Sequence, residues 1–484
     1  MQKSIQKNSL YNMVKTGASI LFPLITFPYI SRILLPENVG KINFGLSIVS
    51  YFSLLASLGI ETYAIRECAA IRDDKENLSN LASQFLSIHI ITTIVSYLAL
   101  AVTLFSASEL ADYRTQIMIQ SLVILATTLG ADWLNSAMED FRYITLRTVA
   151  FQFLSLVLML LFVHRPADYM KYVVICLVSA AGGSVTNIWY RRRYCTTRFL
   201  WDLKHAIEWK RHMKPIVLLF VMILAQTIFH SVDSTMLGLM HGDHEVGIYS
   251  AAQKIMNLIN QVVASLLWVV LPLLSKCFAE QEYAEANRLL RKVLGFNLLL
   301  GLPCAAGCIA IAEDIITVAA GPSFAEAAPV LRILILGFVF SLIGGNFLGN
   351  AILLPSKQEK YFMIVCCISA VVNVICNWFF IPLYASKAAA GTTTFCSFVM
   401  LLLLLFKVDK HIRIEKVGKL LFSPTVGCIG IVLVCLACRT IDSLWIRVIA
   451  SVGGSGFIYS LIQIVLKNEL ATELLMTARK RIGR

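Results

Sequence analysis

Apolar segments long enough to cross a lipid bilayer fill this chain almost from end to end. A helix needs about 20 apolar residues to span the hydrocarbon core, and about fourteen segments of that order can be drawn. They are residues 10–33, 40–60, 82–105, 116–138, 147–163, 170–189, 215–239, 247–274, 293–312, 328–354, 360–381, 388–406, 420–437 and 444–466. The links between them are too short for a soluble domain. The sequence therefore predicts an all-α polytopic membrane protein with about 14 transmembrane helices.

The composition agrees with a protein that lies mostly within a membrane. Hydrophobic residues make up 58% of the chain and charged residues 15%, whereas about a quarter of the residues in a soluble domain are charged. The first apolar segment is not expected to be a cleaved signal peptide, because it contains two prolines and no small-residue cleavage site follows it. The helical bundle itself must then perform the function.

The distribution of basic residues predicts how the chain is oriented. The net charge is +13, and short cytoplasmic loops are enriched in Lys and Arg. The basic clusters are Arg191, Arg192, Arg193, Arg198, Lys204, Lys210, Arg211 and Lys214 in one link, Lys407, Lys410, Arg413, Lys416 and Lys419 in another, and Arg479, Lys480, Arg481 and Arg484 near the C-terminus. The opposite links are short and partly acidic. Both termini are predicted to be cytoplasmic, and the basic excess then requires no nucleic-acid partner.

Two similar stretches indicate an internal repeat. Val39-Gly40 opens the second apolar segment within LLPENVGKINFGLSIV, and Val246-Gly247 opens the eighth within GDHEVGIYSAAQKIMN. Repeated halves are typical of secondary transporters, whose substrate site lies near the midplane between the halves. The predicted division is a six-helix lobe at 1–190, a basic cytoplasmic linker at 191–214, a second six-helix lobe at 215–406, and two extra helices with a basic tail at 407–484.

Several predicted spans carry a polar stripe, because residues three, four and seven apart share one helix face. The stripes are Asn12, Lys15, Ser19 and Thr26; Asn43, Ser47, Ser50 and Ser57; Thr128, Asp132, Asn135 and Glu139; Gln226, His230 and Asp233; and Lys254, Asn257, Gln261 and Ser265. Their hydroxyls and amides could simply join neighbouring helices, at about 0.6 kcal/mol for each hydrogen bond. The alternative is that they line a watery cavity.

Ionisable residues within the spans are the stronger functional candidates. A Lys or Asp at the bilayer centre costs about 2.5–3.5 kcal/mol on the least costly scale. The candidates are Lys15, Asp132, Asp233, Lys254 and Arg332. Lys15 and Arg332 lie near helix ends and could instead reach the interface. Asp233 and Lys254 could form a structural ion pair, and His230 could either titrate near neutral pH or only donate a hydrogen bond.

No motif of a soluble active site is visible in the sequence. It contains no phosphate-binding loop of the G-x-x-x-x-G-K-[ST] kind. The 13 cysteines lie mostly in apolar runs, without the histidine spacing of a metal site. No catalytic residue, metal or cofactor is therefore predicted, and transport is favoured over catalysis.

Three passages carry a resemblance to a known family. They are FPYISRILLPENVGKINF at 27–44, ADWLNSAMEDFRYITLRTVAF at 131–151 and DSTMLGLMHGDHEVGIYSAAQKI at 233–255. They resemble the Wzx-type oligosaccharide flippases of the multidrug/oligosaccharidyl-lipid/polysaccharide exporter superfamily. The resemblance implies two pseudo-symmetric six-helix lobes around a central cavity in a bacterial inner membrane. It also implies alternating access and an undecaprenyl-pyrophosphate-linked sugar repeat unit as substrate, for O-antigen, capsule or exopolysaccharide synthesis.

The resemblance suggests roles for the polar residues. A pyrophosphate is anionic and favours Lys or Arg. The residues expected to bind the headgroup and its sugars are Lys15, Lys254, Arg332, Asn257 and Gln261, with Arg142 and Arg147 at the cytoplasmic entrance. Those expected to act in gating or coupling to H⁺ or Na⁺ are Asp132, Asp233, Glu139 and His230. The expected partners are the lipid-linked oligosaccharide, membrane lipid and a glycan polymerase.

Three other functions are compatible with a membrane bundle. A multidrug or toxin antiporter of the same superfamily should have a carboxylate-rich pocket and about twelve spans. A membrane polymerase or ligase for polysaccharides should have a large external loop with Arg or His, and a scaffold should need none of the buried charges. The two additional spans and the basic residues argue against the antiporter, and the short external links argue against the enzyme.

Overall fold

A computed structural model of the chain describes residues 2–202, 207–408, 412, 414, 417–468 and 470–472. Some basic residues used for the orientation lie outside the described residues. These are Lys204, Lys410, Arg413 and Lys416, and Arg479, Lys480, Arg481 and Arg484 near the C-terminus. The chain divides into two compact units, Met1–Gly247 and Ile248–Arg484. The predicted four-part division, with its separate linker and tail, stays a prediction.

Within the described residues, the secondary structure is helical and contains no β-strand. The first unit contains α1 (Gln2–Ser57), α2 (Ile60–Ala70), α3 (Lys75–Ser106), α4 (Arg114–Gly130), α5 (Trp133–Ala137), α6 (Phe141–Phe162), α7 (Tyr169–Tyr190) and α8 (Trp209–Met240). The helix α9 (Asp243–Ala279) begins in the first unit and continues into the second. The second unit also contains α10 (Tyr283–Ala310), α11 (Ala312–Ala319), α12 (Ala327–Ser341), which continues as a π-helix over Leu342–Leu353, α13 (Glu359–Leu405), α14 (Val417–Cys438) and α15 (Leu444–Val465).

The predicted spans correspond to helices, and the all-α polytopic fold is confirmed. Ten helical stretches in the described chain are long and apolar enough to cross a membrane, and the bent α9 brings this number to 11. Two of the ten, Tyr11–Ala70 and Glu359–Leu405, have 60 and 47 residues. Each of these contains two of the predicted spans. The fourth predicted span corresponds to α4, which has 17 residues, together with the short α5.

The two predicted links within these long stretches are breaks and not extended loops. Leu35 interrupts α1 with φ 64° and ψ 169°, and Ala385 interrupts α13 with φ 47° and ψ −129°. Leu35 precedes Pro36, and a residue before proline is pushed out of the helical region. The backbone stays helical through Pro23 and Pro28, so the non-helical geometry of α1 lies at Leu35 and not at the two prolines within the predicted first span.

The described part of the basic link packs against α3. We call residues 194–202 and 207–208 the strap. The backbone N–H groups of Arg198 and Leu200 donate to the hydroxyls of Ser83 and Ser87 at 3.2 and 2.9 Å. The N–H of Glu208 donates to the Gln84 side chain at 3.0 Å. Cys195 and Ile207, both buried, join the hydrophobic core beneath the strap. The strap is therefore a docked part of the first unit.

The last two helices pack against the rest of the second unit. Arg447 on α15 donates two hydrogen bonds to the Asp314 carboxylate on α11, at 2.7 and 3.0 Å. Tyr459 donates to the carbonyl of Leu299 on α10 at 2.7 Å. A bidentate Arg–carboxylate contact fixes both the distance and the angle between the two side chains. The helices α14 and α15 are thus attached through specific polar contacts as well as apolar packing.

Candidate functional site

A polar cavity of about 340 Å³ lies within the first unit, between α1, α6, α7 and the junction of α4 and α5. It brings together three of the predicted site residues, Lys15, Asp132 and Arg147. Hydroxyl groups of Ser136, Thr148, Ser179 and Ser184 also line it. These side chains come from segments that are far apart in the sequence, and the cavity is our candidate functional site.

The end of α4 places Asp132 in the cavity. The helix ends at Gly130, and Ala131 follows in the left-handed conformation with φ 50°. A Cβ atom at Gly130 would lie 2.7 Å from the carbonyl oxygen of Ser184, so only glycine allows α4 and α7 to come this close. Asp132 precedes α5 but does not cap it. Its Oδ2 atom instead accepts a hydrogen bond from Ser184 on α7 at 2.5 Å.

Arg147 on α6 supplies the positive charge closest to Asp132. Its Nη1 atom lies 3.0 Å from Oδ1 of Asp132 but donates its aligned hydrogen bond to the carbonyl of Gly183 at 3.1 Å. The contact with Asp132 is therefore an ion pair without good hydrogen-bond alignment, which agrees with Oδ1 having no hydrogen-bond partner. The guanidinium also lies over the Tyr143 ring, 5.4 Å from its centroid. The Arg147 side chain is 11% exposed and that of Asp132 is 32% exposed.

The missing side chain of Gly183 makes room for Arg147. A Cβ atom at Gly183 would lie 3.1 Å from Nε of Arg147, closer than ordinary van der Waals contact. The neighbouring Gly182 accommodates Phe151 in the same way, because its Cβ would lie 2.4 Å from the ring. This pair of glycines lets α6 pack tightly on α7.

Lys15 leaves a net positive charge among the three charged residues that line the cavity. Its side chain is half-buried on α1, and within the described chain no carboxylate lies in ion-pair range of its amino group. Arg147 and Asp132 balance each other, so the ammonium of Lys15 is the charge in excess. A half-buried cation surrounded by hydroxyls is suited to binding an anionic group that carries hydroxyls of its own.

Asp140 organises the turn beside the cavity, before α6 begins. Its Oδ2 accepts hydrogen bonds from the hydroxyls of Tyr190 and Tyr194 at 2.9 and 2.7 Å, and its Oδ1 accepts one from the Tyr143 N–H at 3.1 Å. Burial alone would raise the pKa of Asp140, but these hydrogen bonds and the charge of Arg193 hold it below its usual value. Burial and the nearby carboxylate raise the pKa of Tyr194.

The other predicted residues of the first unit lie outside this cavity. Glu139 forms an exposed ion pair with Arg72 at 3.0 Å, and Arg142 is exposed. On α8, Asp233 is buried whereas His230 is exposed with its ring edge against Phe229. The structure does not group these four residues with Lys15.

The predicted headgroup residues of the second unit occupy two places. Lys254, Asn257 and Gln261 follow one another along a single face of α9, as their spacing predicts. Arg332 on α12 forms an ion pair with Glu313 at 3.1 Å and donates to the carbonyl of Ile309 at 3.3 Å. Glu313 therefore already balances the charge of Arg332.

Two members of the polar stripe of the second predicted span, Ser47 and Ser50, join α1 to α8. Ser50 donates to Ser231 at 3.0 Å, and the hydroxyls of Tyr51 and Thr235 lie 3.0 Å apart. Thr235 also donates to Ser47 at 2.9 Å. These hydroxyls of α1 therefore join neighbouring helices, because they form hydrogen bonds with hydroxyls of α8.

A buried amide and hydroxyl cluster on α13 was not predicted. Asn377 donates to Asn373 at 3.1 Å, Asn373 donates to Thr393 at 3.4 Å, and Thr392 donates to Asn377. Both asparagines are fully buried. The spacing of four residues between the two asparagines could have indicated that they interact on one helix face. The sequence does not reveal the break at Ala385, which brings Thr392 and Thr393 next to them. Ser184, the partner of Asp132, was missed for a similar reason.

The comparisons with known proteins agree with this architecture. Residues 5–278 match the family described as polysaccharide biosynthesis protein, and residues 219–379 match the family described as MatE. The capsular polysaccharide biosynthesis protein CapF of Staphylococcus aureus is 24% identical over 406 residues, which cover 82% of this chain and 97% of CapF. A candidate O-antigen transporter of Escherichia coli (strain K12) is 21% identical over 420 residues, which cover 84% of this chain and 98% of that protein.

The fold is also similar to that of a solved transporter. The lipid II flippase MurJ, in an inward closed conformation, superposes with a TM-score of 0.61 at 14% identity, over 97% of this chain and 99% of MurJ. At this identity the likeness concerns the fold. The first family match covers more than half of the 484 residues. The chain therefore belongs to the polysaccharide biosynthesis protein family, in agreement with its resemblance to the Wzx-type branch of the multidrug/oligosaccharidyl-lipid/polysaccharide exporter superfamily.

Proposed function

We propose that this protein is a flippase for lipid-linked oligosaccharides. Its cargo is an undecaprenyl-pyrophosphate-linked repeat unit, which it moves from the cytoplasmic to the outer leaflet of a bacterial inner membrane by alternating access. The names of CapF and of the E. coli relative support a capsule or O-antigen glycan as the class of cargo. The cargo crosses chemically unchanged, so no catalytic residue is assigned.

The observation that carries the proposal is the cavity with Lys15, Arg147 and Asp132. A pyrophosphate needs cations, and the sugars need hydroxyl partners. Lys15 provides the unbalanced positive charge, and Ser136, Thr148 and Ser179 provide the hydroxyls. The polyprenyl chain stays in the bilayer, since transfer of a long hydrocarbon into water is unfavourable.

Asp132 has a gating role in this proposal. An incoming phosphate competes with the Asp132 carboxylate for Arg147, and protonation or Na⁺ binding at Asp132 would free the guanidinium in the same way. Asp233, Glu139 and His230 are proposed to act in the same coupling to H⁺ or Na⁺. Lys254, Arg332, Asn257, Gln261 and Arg142 are proposed to contact the headgroup at other stages of transport. A glycan polymerase would receive the cargo.

The test is to delete the gene and to determine the leaflet in which lipid-linked oligosaccharides accumulate. Complete repeat units should accumulate on the cytoplasmic leaflet, and the intact gene should reverse this. Lys15→Gln should fail to complement because it removes the excess charge, and Lys15→Arg should complement because it keeps that charge. Lys171→Gln changes a lysine outside the cavity and serves as the matched control. Normal surface glycan and unchanged lipid intermediates in the deletion strain would refute the proposal.

One observation favours a second candidate, a multidrug antiporter of the same superfamily. The MatE family matches residues 219–379. The same deletion strain separates the two functions, because an antiporter predicts reduced export of cationic dyes with lipid intermediates unchanged. A flippase predicts the reverse.

A further inference from the structure

A second cavity, apolar and of about 480 Å³, lies in the second unit where the two arms of α13 meet. We call it the α13 groove. Cys376, Phe380 and Tyr384 line it from the arm before the break at Ala385, and Lys387, Gly391 and Phe395 line it from the arm after the break. No residue of the candidate functional site contributes to it.

The α13 groove is open on one side, and its rim consists of exposed aromatic side chains. Phe380, Tyr384 and Phe395 are 49%, 65% and 50% exposed. At Gly391 nothing lies within 4 Å of the position that a Cβ atom would occupy. An open space on a membrane-spanning helix that is surrounded by exposed aromatic rings is suited to a hydrocarbon chain.

The two ends of the groove lie at different depths in the membrane. Tyr384 lies one residue before the break and is exposed, as is typical of an aromatic ring at a membrane interface. From Tyr384 back to Cys376, and from Lys387 forward to Phe395, each arm descends eight residues, about 12 Å at the helical rise. One leaflet of hydrocarbon is about 15 Å thick. The groove therefore follows one chain of a single leaflet over most of its length.

Lys387 adds charge at the interfacial end. Its side chain is exposed, and within the described chain no carboxylate lies in ion-pair range of its amino group. An unpaired ammonium above an apolar groove complements a phosphate attached to a hydrocarbon chain.

We propose that the α13 groove binds one anionic phospholipid, with one acyl chain between the two arms and its phosphate on Lys387. The length of the groove suits an acyl chain of ordinary length. A polyprenyl chain is several times longer and would extend out of the groove into the bilayer. This site is independent of the proposed flippase function, because it shares no residue with the cavity around Lys15.

The experiment uses the full chain in nanodiscs of phosphatidylcholine and phosphatidylglycerol, followed by native mass spectrometry of retained lipids. The wild type should retain one phosphatidylglycerol, with a preference over phosphatidylcholine of about tenfold from one charge-assisted contact. Lys387→Gln should lose this preference and Lys387→Arg should keep it. Gly391→Leu should fill the groove and reduce retention of both lipids.

Gly456→Leu is the matched control, because Gly456 on α15 also has nothing within 4 Å of its Cβ position. Equal retention by Gly391→Leu and Gly456→Leu would overturn the proposal, as would an unchanged preference in Lys387→Gln. Displacement of phosphatidylglycerol by an equal amount of polyprenyl phosphate would assign the groove to that lipid instead. Thermal unfolding in phosphatidylcholine alone checks that each variant is folded, and the exposed Lys387 gives an independent result if Gly391→Leu is not.

Discussion

Gly40 packs against the backbone just before Gly247, and Gly247 packs in the same way against the backbone just before Gly40. A Cβ atom at Gly40 would lie 1.7 Å from the carbonyl oxygen of Asp243, and one at Gly247 would lie 2.1 Å from that of Pro36. Each glycine thus contacts the residue that stands four positions before the other glycine. The two similar stretches therefore meet through equivalent positions, which explains why a glycine occupies this position in both.

The reciprocal contact predicts that neither glycine tolerates a side chain. Gly40→Ala should lower the free energy of unfolding by about 2–3 kcal/mol, because the backbones would have to separate. Gly17→Ala is the control on the same helix, since nothing lies within 4 Å of its Cβ position, and it should be neutral or stabilising by up to about 1 kcal/mol. Thermal unfolding in detergent measures both. Equal melting temperatures would show that the helices separate without cost.

The ion pair between Arg147 and Asp132 should contribute to stability because it is partly buried. Asp132→Ala leaves the guanidinium without its counter-charge and should cost about 1–3 kcal/mol. The double variant Asp132→Ala/Arg147→Met should lose less stability than the sum of the losses in the two single variants. The pair of Arg72 and Glu139 has the same 3.0 Å separation but side chains that are 38% and 52% exposed, so its coupling should be about 0.5 kcal/mol or less. Similar coupling energies in these two double-mutant cycles would contradict a role for burial.

Asp140 predicts a pH dependence of stability. Because its pKa is lower in the folded chain than its usual value of 3.8, the ionised form stabilises the fold above that pH. This contribution is lost as the pH falls through the folded-state pKa. The wild type should therefore lose more stability than Asp140→Asn between pH 5 and acid conditions of about pH 3. Thermal unfolding across this range measures the difference.

A companion variant tests the cause of the Asp140 shift. Tyr194→Phe removes one of the hydroxyl donors and should cost about 0.5 kcal/mol at neutral pH, since solvent weakens this contact. The cost should shrink in acid, where the protonated carboxyl needs the donor less. A cost that does not change with pH would assign the effect to packing of the ring.

The contact between Arg447 and Asp314 should hold the C-terminal helices in place. Arg447→Met should lower the free energy of unfolding because both hydrogen bonds to the carboxylate are lost. Arg332→Met breaks a more exposed pair with Glu313 in the same unit and should cost less. Limited proteolysis of the segment before α14, together with thermal unfolding, reports the loss. Unchanged protease resistance in Arg447→Met would indicate that apolar packing alone attaches α14 and α15.

The helices could be predicted from the sequence because hydropathy and length decide whether a segment crosses a membrane. The breaks at Leu35 and Ala385 could not, since a link of a few residues is compatible with either a loop or a sharp break. Lys15 and Asp132 could be selected because charges are costly in lipid, and Arg147 because the family resemblance placed it at the cytoplasmic entrance. That these three residues lie together, and that Ser184 and Gly183 contact them, depends on how α6 packs on α7. The local sequence does not determine this packing.

The strap on α3 has a consequence for how this protein can diverge. Ser83 and Ser87 accept hydrogen bonds from the main-chain N–H groups of Arg198 and Leu200, and every amino acid except proline supplies such a group. The identity of the strap's own side chains is therefore of little importance to these bonds. Substitutions at Arg198 and Leu200 should therefore be tolerated far better than loss of the two serines, whereas the buried Cys195 and Ile207 still constrain the strap.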